Sequence, residues 1–194
     1  CIMVYCSGHS RFQVIMNPSY DAIAIGAGVI GASIAHNLSP RGLKVLILER
    51  QSVAVGATGA SSGLVRMHYD IAVDAALAWQ SFHFFRNWRE RVGGECGFKR
   101  TGFLQIVSPD KNDRLRGNVE MQKGIGILTD VVTAAEVKRL APMFKTEDFE
   151  LAAYEPESGY ADPVLTTNSF IEGAKARGSV LMQNCEVTGI RVSG

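Results

Sequence analysis

The sequence predicts an α/β fold in which a parallel sheet is interrupted by an inserted α+β segment. Three observations predict it. An apolar strand runs into a glycine turn and a helix, a second apolar strand ends on an acid, and a middle stretch mixes short strands with charged helices.

Residues 21–25, Asp-Ala-Ile-Ala-Ile, form a short apolar run with β-branched side chains, long enough for a buried parallel strand. Gly26, Gly28 and Gly31 follow as G-x-G-x-x-G. The first glycine permits a tight turn, and the second lets a pyrophosphate approach the backbone. The third lets the next helix pack close to the strand, with its positive amino end toward the phosphates. Residues 29–38 are the Ala/Ile-rich helix, Gly42 turns the chain, and residues 45–48 are the second strand. Glu49 stands at its carboxyl end, 18 positions after Gly31, near the roughly 20 expected of a ribose-binding carboxylate. Such an acid accepts hydrogen bonds from ribose hydroxyls and repels a 2′-phosphate. Together these features make a Rossmann-like βαβ dinucleotide fingerprint; the glycines alone would be a weak signal.

Residues 51–63, QSVAVGATGASSG, are almost all small. Gly56, Gly59 and Gly63 let the backbone run close to a ligand, while Thr58, Ser61 and Ser62 offer hydroxyls. Ligands in open α/β sheets sit beyond the carboxyl ends of the strands, so a loop leaving Glu49 is placed for cofactor contact. Arg66, His68 and Tyr69 then bring a cation, an imidazole and a phenol together. Asp70 is the expected N-cap of a long helix whose apolar stripe is Ile71, Ala75, Ala78, Phe82 and Phe85, ended by Gly93 and Gly94. Its aromatic wealth reads as core packing.

Beyond residue 98 the spacing predicts a strand over 101–107, a charged helix over 111–123 and a short strand over 125–129. A helix over 133–140, capped by Thr133 and Glu136, and a strand over 151–155 follow. Asp162 as N-cap with Pro163 at the first helical position starts a helix reaching residue 177, and strands over 180–183 and 186–192 come after it.

At 194 residues the chain can bury a sizeable core, and 46% hydrophobic with 20% charged residues is ordinary for a globular protein. A net charge of +1 gives no sign of a nucleic-acid partner, and no apolar run approaches a bilayer span. Residues 1–19 read as a leader, disordered or foreign to the fold. Cys1, Cys6, Cys96 and Cys185 are scattered, so their spacing predicts no disulfide framework and favours a reducing compartment. Cys1, Cys6 and His9 match no zinc pattern, and no metal site is expected.

These residues together resemble the FAD-dependent amine oxidoreductases, the family of D-amino acid, glycine and sarcosine oxidases and dimethylglycine dehydrogenase. The fingerprint extends to Ala35 as G-x-G-x-x-G-x-x-x-A. GATGASSG follows the acid and leads to the arginine of LVRMHY, TGFLQIV is similar to the first substrate-domain strand, and the run from GYADPVLTT to the end is similar to the family's return to the cofactor domain. The resemblance implies an FAD-binding domain in two segments, 20–95 and 159–194, with a partial substrate domain over 96–158. It implies that Gly26, Gly28 and Gly31 hold the FAD pyrophosphate and Glu49, with Arg50 beside it, the adenosine ribose. Thr58, Ser61, Ser62 and Gly63 would lie along the pyrophosphate and ribityl chain, and Val187 would meet the adenine through its backbone. Arg66 would bind a substrate carboxylate, with His68 beside it at the catalytic end. The implied reaction oxidises the C–N bond of an amine or amino acid by hydride transfer to flavin, with no metal, nucleic acid or membrane span. It places the protein in the cytoplasm or, in a eukaryote, the mitochondrial matrix, and allows an oligomer or partner subunit. Such enzymes are roughly twice this long. The chain therefore reads as an amino-terminal fragment, inactive alone, whose last strand lacks its partner. An NAD-dependent dehydrogenase and an inactive dinucleotide-binding remnant are the alternatives.

Overall fold

The computed structural model describes residues 2–7 and 20–192. The chain runs through β1 (Ile2–Ser7), β2 (Ala22–Ile25), α1 (Val29–Leu38) and β3 (Val45–Leu48). It continues through β4 (Leu64–Val65), α2 (Ala72–Arg86), α3 (Trp88–Arg91), β5 (Lys99–Arg100) and β6 (Phe103–Ile106). Then come α4 (Asn112–Ile125), β7 (Asp130–Thr133), α5 (Ala134–Leu140), β8 (Leu151–Glu155) and β9 (Gly159–Tyr160). The chain closes with α6 (Pro163–Lys175), β10 (Val180–Met182) and β11 (Glu186–Val192).

Two compact units result. The first comprises Cys1–Ser62, Trp88–Gly97 and Asp162–Gly194. Its sheet is parallel in the order β10-β3-β2, with Ile23 beside Leu46 and Leu181 beside Ile47. All four residues of β3 are buried, as a strand covered on both faces requires. Helices α1 and α6 pack together where Gly173 leaves room for the buried His36, whose ring lies 5.2 Å from that of Phe170. Asp162 caps α6 by accepting from the backbone N–H groups of Val164 (2.8 Å) and Leu165 (2.9 Å), and Pro163 fills the first position, where no donor is needed. Asp162→Ala is expected to cost about 1 kcal/mol of stability, read as a lower chemical-denaturation midpoint; an unchanged midpoint contradicts the cap.

The second unit comprises Gly63–Asn87 and Phe98–Ala161. It contains two antiparallel sheets, β4-β9-β5 and β6-β8-β7. Met67, Ala75, Phe82 and Ile127 form one core cluster, so the aromatic stripe of α2 packs as core, with Trp79 stacked on Phe82. Leu115 and Val119 of α4 meet Ala153 of β8 in a second cluster.

Several expectations change. Gly63–Asn87 groups with the inserted segment rather than with residues 20–62, because β4 pairs with β9 and α2 shares its core with Ile127. The residue before α2 is Ile71, with no side-chain cap; Asp70 instead accepts from Arg114 and Asn118 of α4. Gly102, at φ +77°, delays the expected 101–107 strand, which is shortened to 103–106, and the helix α4 continues to Ile125 before Gly126 caps it, which moves the next strand to 130–133. Part of the expected leader is a strand: β1 runs antiparallel to β11 and supplies the partner that β11 was expected to lack. Cys6 and Cys185 form a disulfide, unforeseen because the two cysteines are 179 positions apart and meet through that pairing. Cys1, His9 and the rest of the leader lie outside the described residues.

Candidate dinucleotide-binding site

The first site stands at the carboxyl ends of β2 and β3. Gly26 leaves β2 at φ +101°, a conformation glycine adopts without strain, while its N–H still donates to the Leu48 carbonyl at 2.7 Å. Gly28 precedes α1 without a side chain, and a Cβ there would come within 3.0 Å of Thr58 Oγ1. A Cβ on Gly31 would fall on the Gly26 carbonyl oxygen, so this position brings helix and turn into direct backbone contact. No acidic residue stands in the first turn of α1, so the helix itself places no carboxylate at its positive end.

Glu49 is pinned. Its two carboxylate oxygens accept from the backbone N–H groups of Ala27 (2.9 Å) and Gln51 (2.8 Å), and its own N–H donates to the Met182 carbonyl. Each carboxylate oxygen keeps acceptor capacity for a ribose hydroxyl. The small-residue loop folds onto the same turn: the Ala54 N–H donates to the Ala27 carbonyl at 3.1 Å, and the Val29 N–H donates to Thr58 Oγ1 at 3.1 Å. An open groove of about 750 Å³ runs along the residues of β2 and along Ile30 and Ile34 of α1, and its lining also includes Gly26, Gly28, Gly31, Thr58 and Ser61. The structure thus gathers Gly26, Gly28, Gly31, Glu49, Thr58 and Ser61 at one place. Arg50 and Ser62 are exposed on the flanking loop, and Val187 stands in β11 beside Cys6. A bare backbone turn, a helix amino end with no acid in its first turn and a fixed carboxylate fit the pyrophosphate and ribose of a dinucleotide.

Gly63 belongs to the second unit, where its carbonyl accepts from the Ala161 N–H. The other candidate residues lie there too. Arg66 donates to the His68 carbonyl, and its guanidinium carbon sits 4.5 Å from the centroid of the Tyr69 ring and 5.5 Å from that of Phe103. Cation–π contact on two rings holds the fork in place without committing it to a carboxylate. A cavity of about 550 Å³ is lined by Arg66, His68, Tyr69, Lys111 and Arg114, among others. His68 is 3% exposed, and its Nδ1 has no partner among the described residues. Burial holds its imidazole below the usual pKa, reinforced by the Arg66 charge and opposed by Asp70 and Gln122.

That depression has a consequence for stability. Below about pH 6.5 the unfolded imidazole takes a proton that the folded one refuses, so stability falls as pH drops from there toward the lowered value. The buried His36 acts in the same sense. His68→Gln should make the denaturation midpoint less sensitive between neutral and mildly acidic pH; an unaltered slope contradicts it. The residue that spacing missed is Glu155, fully buried at the end of β8. Its signal was a carboxylate ending an otherwise apolar strand, LAAYE.

Fold and glycine cradle together define a dinucleotide-binding α/β protein with an inserted α+β unit. The chain belongs to the FAD dependent oxidoreductase family, whose model matches residues 21–194. It is 29% identical to mitochondrial sarcosine dehydrogenase of Homo sapiens over 175 residues, 89% of this chain and 19% of that protein. Glycine oxidase of Bacillus cereus superposes with a TM-score of 0.72 at 30% identity, covering 90% of this chain and 49% of the other. L-proline dehydrogenase of P. horikoshii gives a TM-score of 0.82 at 27% identity over 90% of this chain and 46% of that one. The chain thus spans about a fifth of the human protein and just under half of these two structures. FAD is the cofactor of the family, in place of the NAD alternative. Among the described residues no helix is long and apolar enough to cross a membrane.

Proposed function

We propose that the chain is the cofactor-holding amino-terminal portion of an oxidoreductase that oxidises the C–N bond of an α-amino acid by hydride transfer to FAD. Bound FAD supplies the two-electron acceptor for the hydrogen on the carbon next to nitrogen. The pinned carboxylate of Glu49 carries the reading: it orients the adenosine ribose and turns away a 2′-phosphate. The Gly26–Gly31 turn and the amino end of α1 hold the pyrophosphate, with Thr58, Ser61, Ser62 and Gly63 along the chain beyond it. Arg50 flanks the ribose, and the Val187 backbone meets the adenine.

Arg66 binds the substrate carboxylate through two parallel hydrogen bonds, which a planar guanidinium offers and an ammonium does not. Sarcosine, glycine and proline, named in the relatives above, share a carboxylate one carbon from nitrogen. His68, kept neutral by burial, stands beside Arg66 in the wall of the same cavity, at the catalytic end. The share of the relatives covered supports the partial-chain reading, as does apolar exposure beside β2: Ile25 is 55%, Ile30 74% and Ile34 48% exposed. The test is anaerobic bleaching of the visible flavin band in the full-length, FAD-loaded protein by sarcosine, glycine or proline. Reduction by none of them, with flavin bound, favours the inactive-remnant reading.

A further inference from the structure

The segment that carries Arg66 is weakly tied by its own strand. β4 is two residues long and pairs with β9 through Leu64 opposite Tyr160 and Val65 opposite Gly159. Just past that ladder, the N–H of Met67, a residue with no exposed surface, donates to Glu155 Oε2 at 3.0 Å. Glu155 is likewise fully buried, and Ser158 Oγ donates to the same oxygen at 2.6 Å. Ser158 is itself fixed, because its carbonyl accepts from the N–H groups of Thr101 (3.2 Å) and Gly102 (2.8 Å). A rigid chain of hydrogen bonds therefore runs from the β5–β6 junction through Ser158 and Glu155 to the residue after Arg66. Oε1 of Glu155 has no partner among the described residues.

We propose that Glu155 is a positioning residue for Arg66. Its carboxylate, anchored by Ser158, grips the Met67 amide and so fixes where the neighbouring guanidinium meets a substrate carboxylate. This rests on the reading of Arg66 given above. A buried carboxylate with a single engaged oxygen is a costly way to satisfy one N–H and one hydroxyl, and a neutral acceptor would suffice for packing alone. Burial pushes the Glu155 carboxyl above its usual range, while Ser158, Met67 and the Arg66 charge pull it down. The charged and titratable neighbours are few. Arg66 stands on the gripped segment, with His68 two residues further on. Glu157 on the same turn is engaged by Arg86 at 3.6 Å, β5 contributes the exposed Lys99 and Arg100, and Phe103, opposite Glu155 on β6, is apolar.

The test uses the full-length, FAD-loaded protein with 15N-labelled methionine. The Met67 amide signal is expected to titrate with a midpoint above about 4.3, the ordinary glutamate value. Ser158→Ala, which removes a bond favouring the anion, should raise that midpoint further, and Glu155→Gln should abolish the titration. Kinetically, Glu155→Gln should raise KM roughly tenfold for a carboxylate-bearing amine and leave an amine without a carboxylate unchanged. A Met67 signal that does not titrate, or one that still does in Glu155→Gln, overturns the proposal. So does an equal KM change for both amines, the mark of a merely structural role. Arg66→Ala separates the two readings: if it raises the KM of the carboxylate-bearing amine while Glu155→Gln does not, the Glu155 proposal alone fails. If Arg66→Ala leaves that KM unchanged, the Arg66 reading fails and takes this one with it.

Discussion

Gly31→Ala is expected to weaken FAD binding sharply. The added Cβ would fall on the carbonyl oxygen of Gly26, and both partners are backbone, so no flexible side chain can yield. Relief requires α1 to lift from the end of β2, which widens the turn that faces the pyrophosphate and moves the helix amino end away from it. Overpacking of this kind costs about 1–3 kcal/mol, so FAD affinity should fall by roughly tenfold to a hundredfold. Gly117→Ala is the matched control. That glycine lies on the exposed face of α4 with nothing within 4 Å of an added Cβ. Alanine there should stabilise the helix by about 0.5–1 kcal/mol without touching the flavin. Equilibrium titration of FAD into both variants decides; equal affinities would show that close helix–turn packing does not govern the site.

On the proposed function, Arg66→Ala in the FAD-loaded protein is expected to lower kcat/KM for a carboxylate-bearing amine by roughly a hundredfold, the value of a bidentate hydrogen bond between charged groups. Arg66→Lys should recover little of it, because an ammonium lacks the planar fork and leaves the Tyr69 and Phe103 rings less well covered. Steady-state kinetics on amines with and without the carboxylate measure the effect. Loss confined to the former is the expected result, and equal loss on both would make Arg66 a packing residue.

What could be read from the sequence follows from how local each determinant is. The helix over 29–38, the strand over 45–48 and the caps at Thr133 and Asp162 were all legible, since each rests on residues within a turn or a strand of one another. The glycine turn and Glu49 were legible for a related reason: a βαβ unit fixes the distance between them, and the Ala27–Glu49 hydrogen bond closes it. Asp70 was misjudged because the partners that claim it, Arg114 and Asn118, are 44 and 48 positions away. The pairing of β1 with β11 and the Cys6–Cys185 bridge join opposite ends of the chain, and no spacing rule reaches that far. Glu155 falls between these cases. Its oddity was visible, a charge closing an apolar strand, but its meaning needed Met67, 88 positions earlier.

The central claim is that the first unit grips FAD by its adenosine and pyrophosphate end, through the Gly26–Gly31 turn and Glu49. The most direct measurement is displacement of FAD from the protein by its two halves. ADP, which carries the adenosine and both phosphates, should compete with FAD, and Glu49→Gln should weaken ADP and FAD alike. FMN, which lacks the adenosine, should compete poorly. Displacement by FMN but not by ADP would contradict the account.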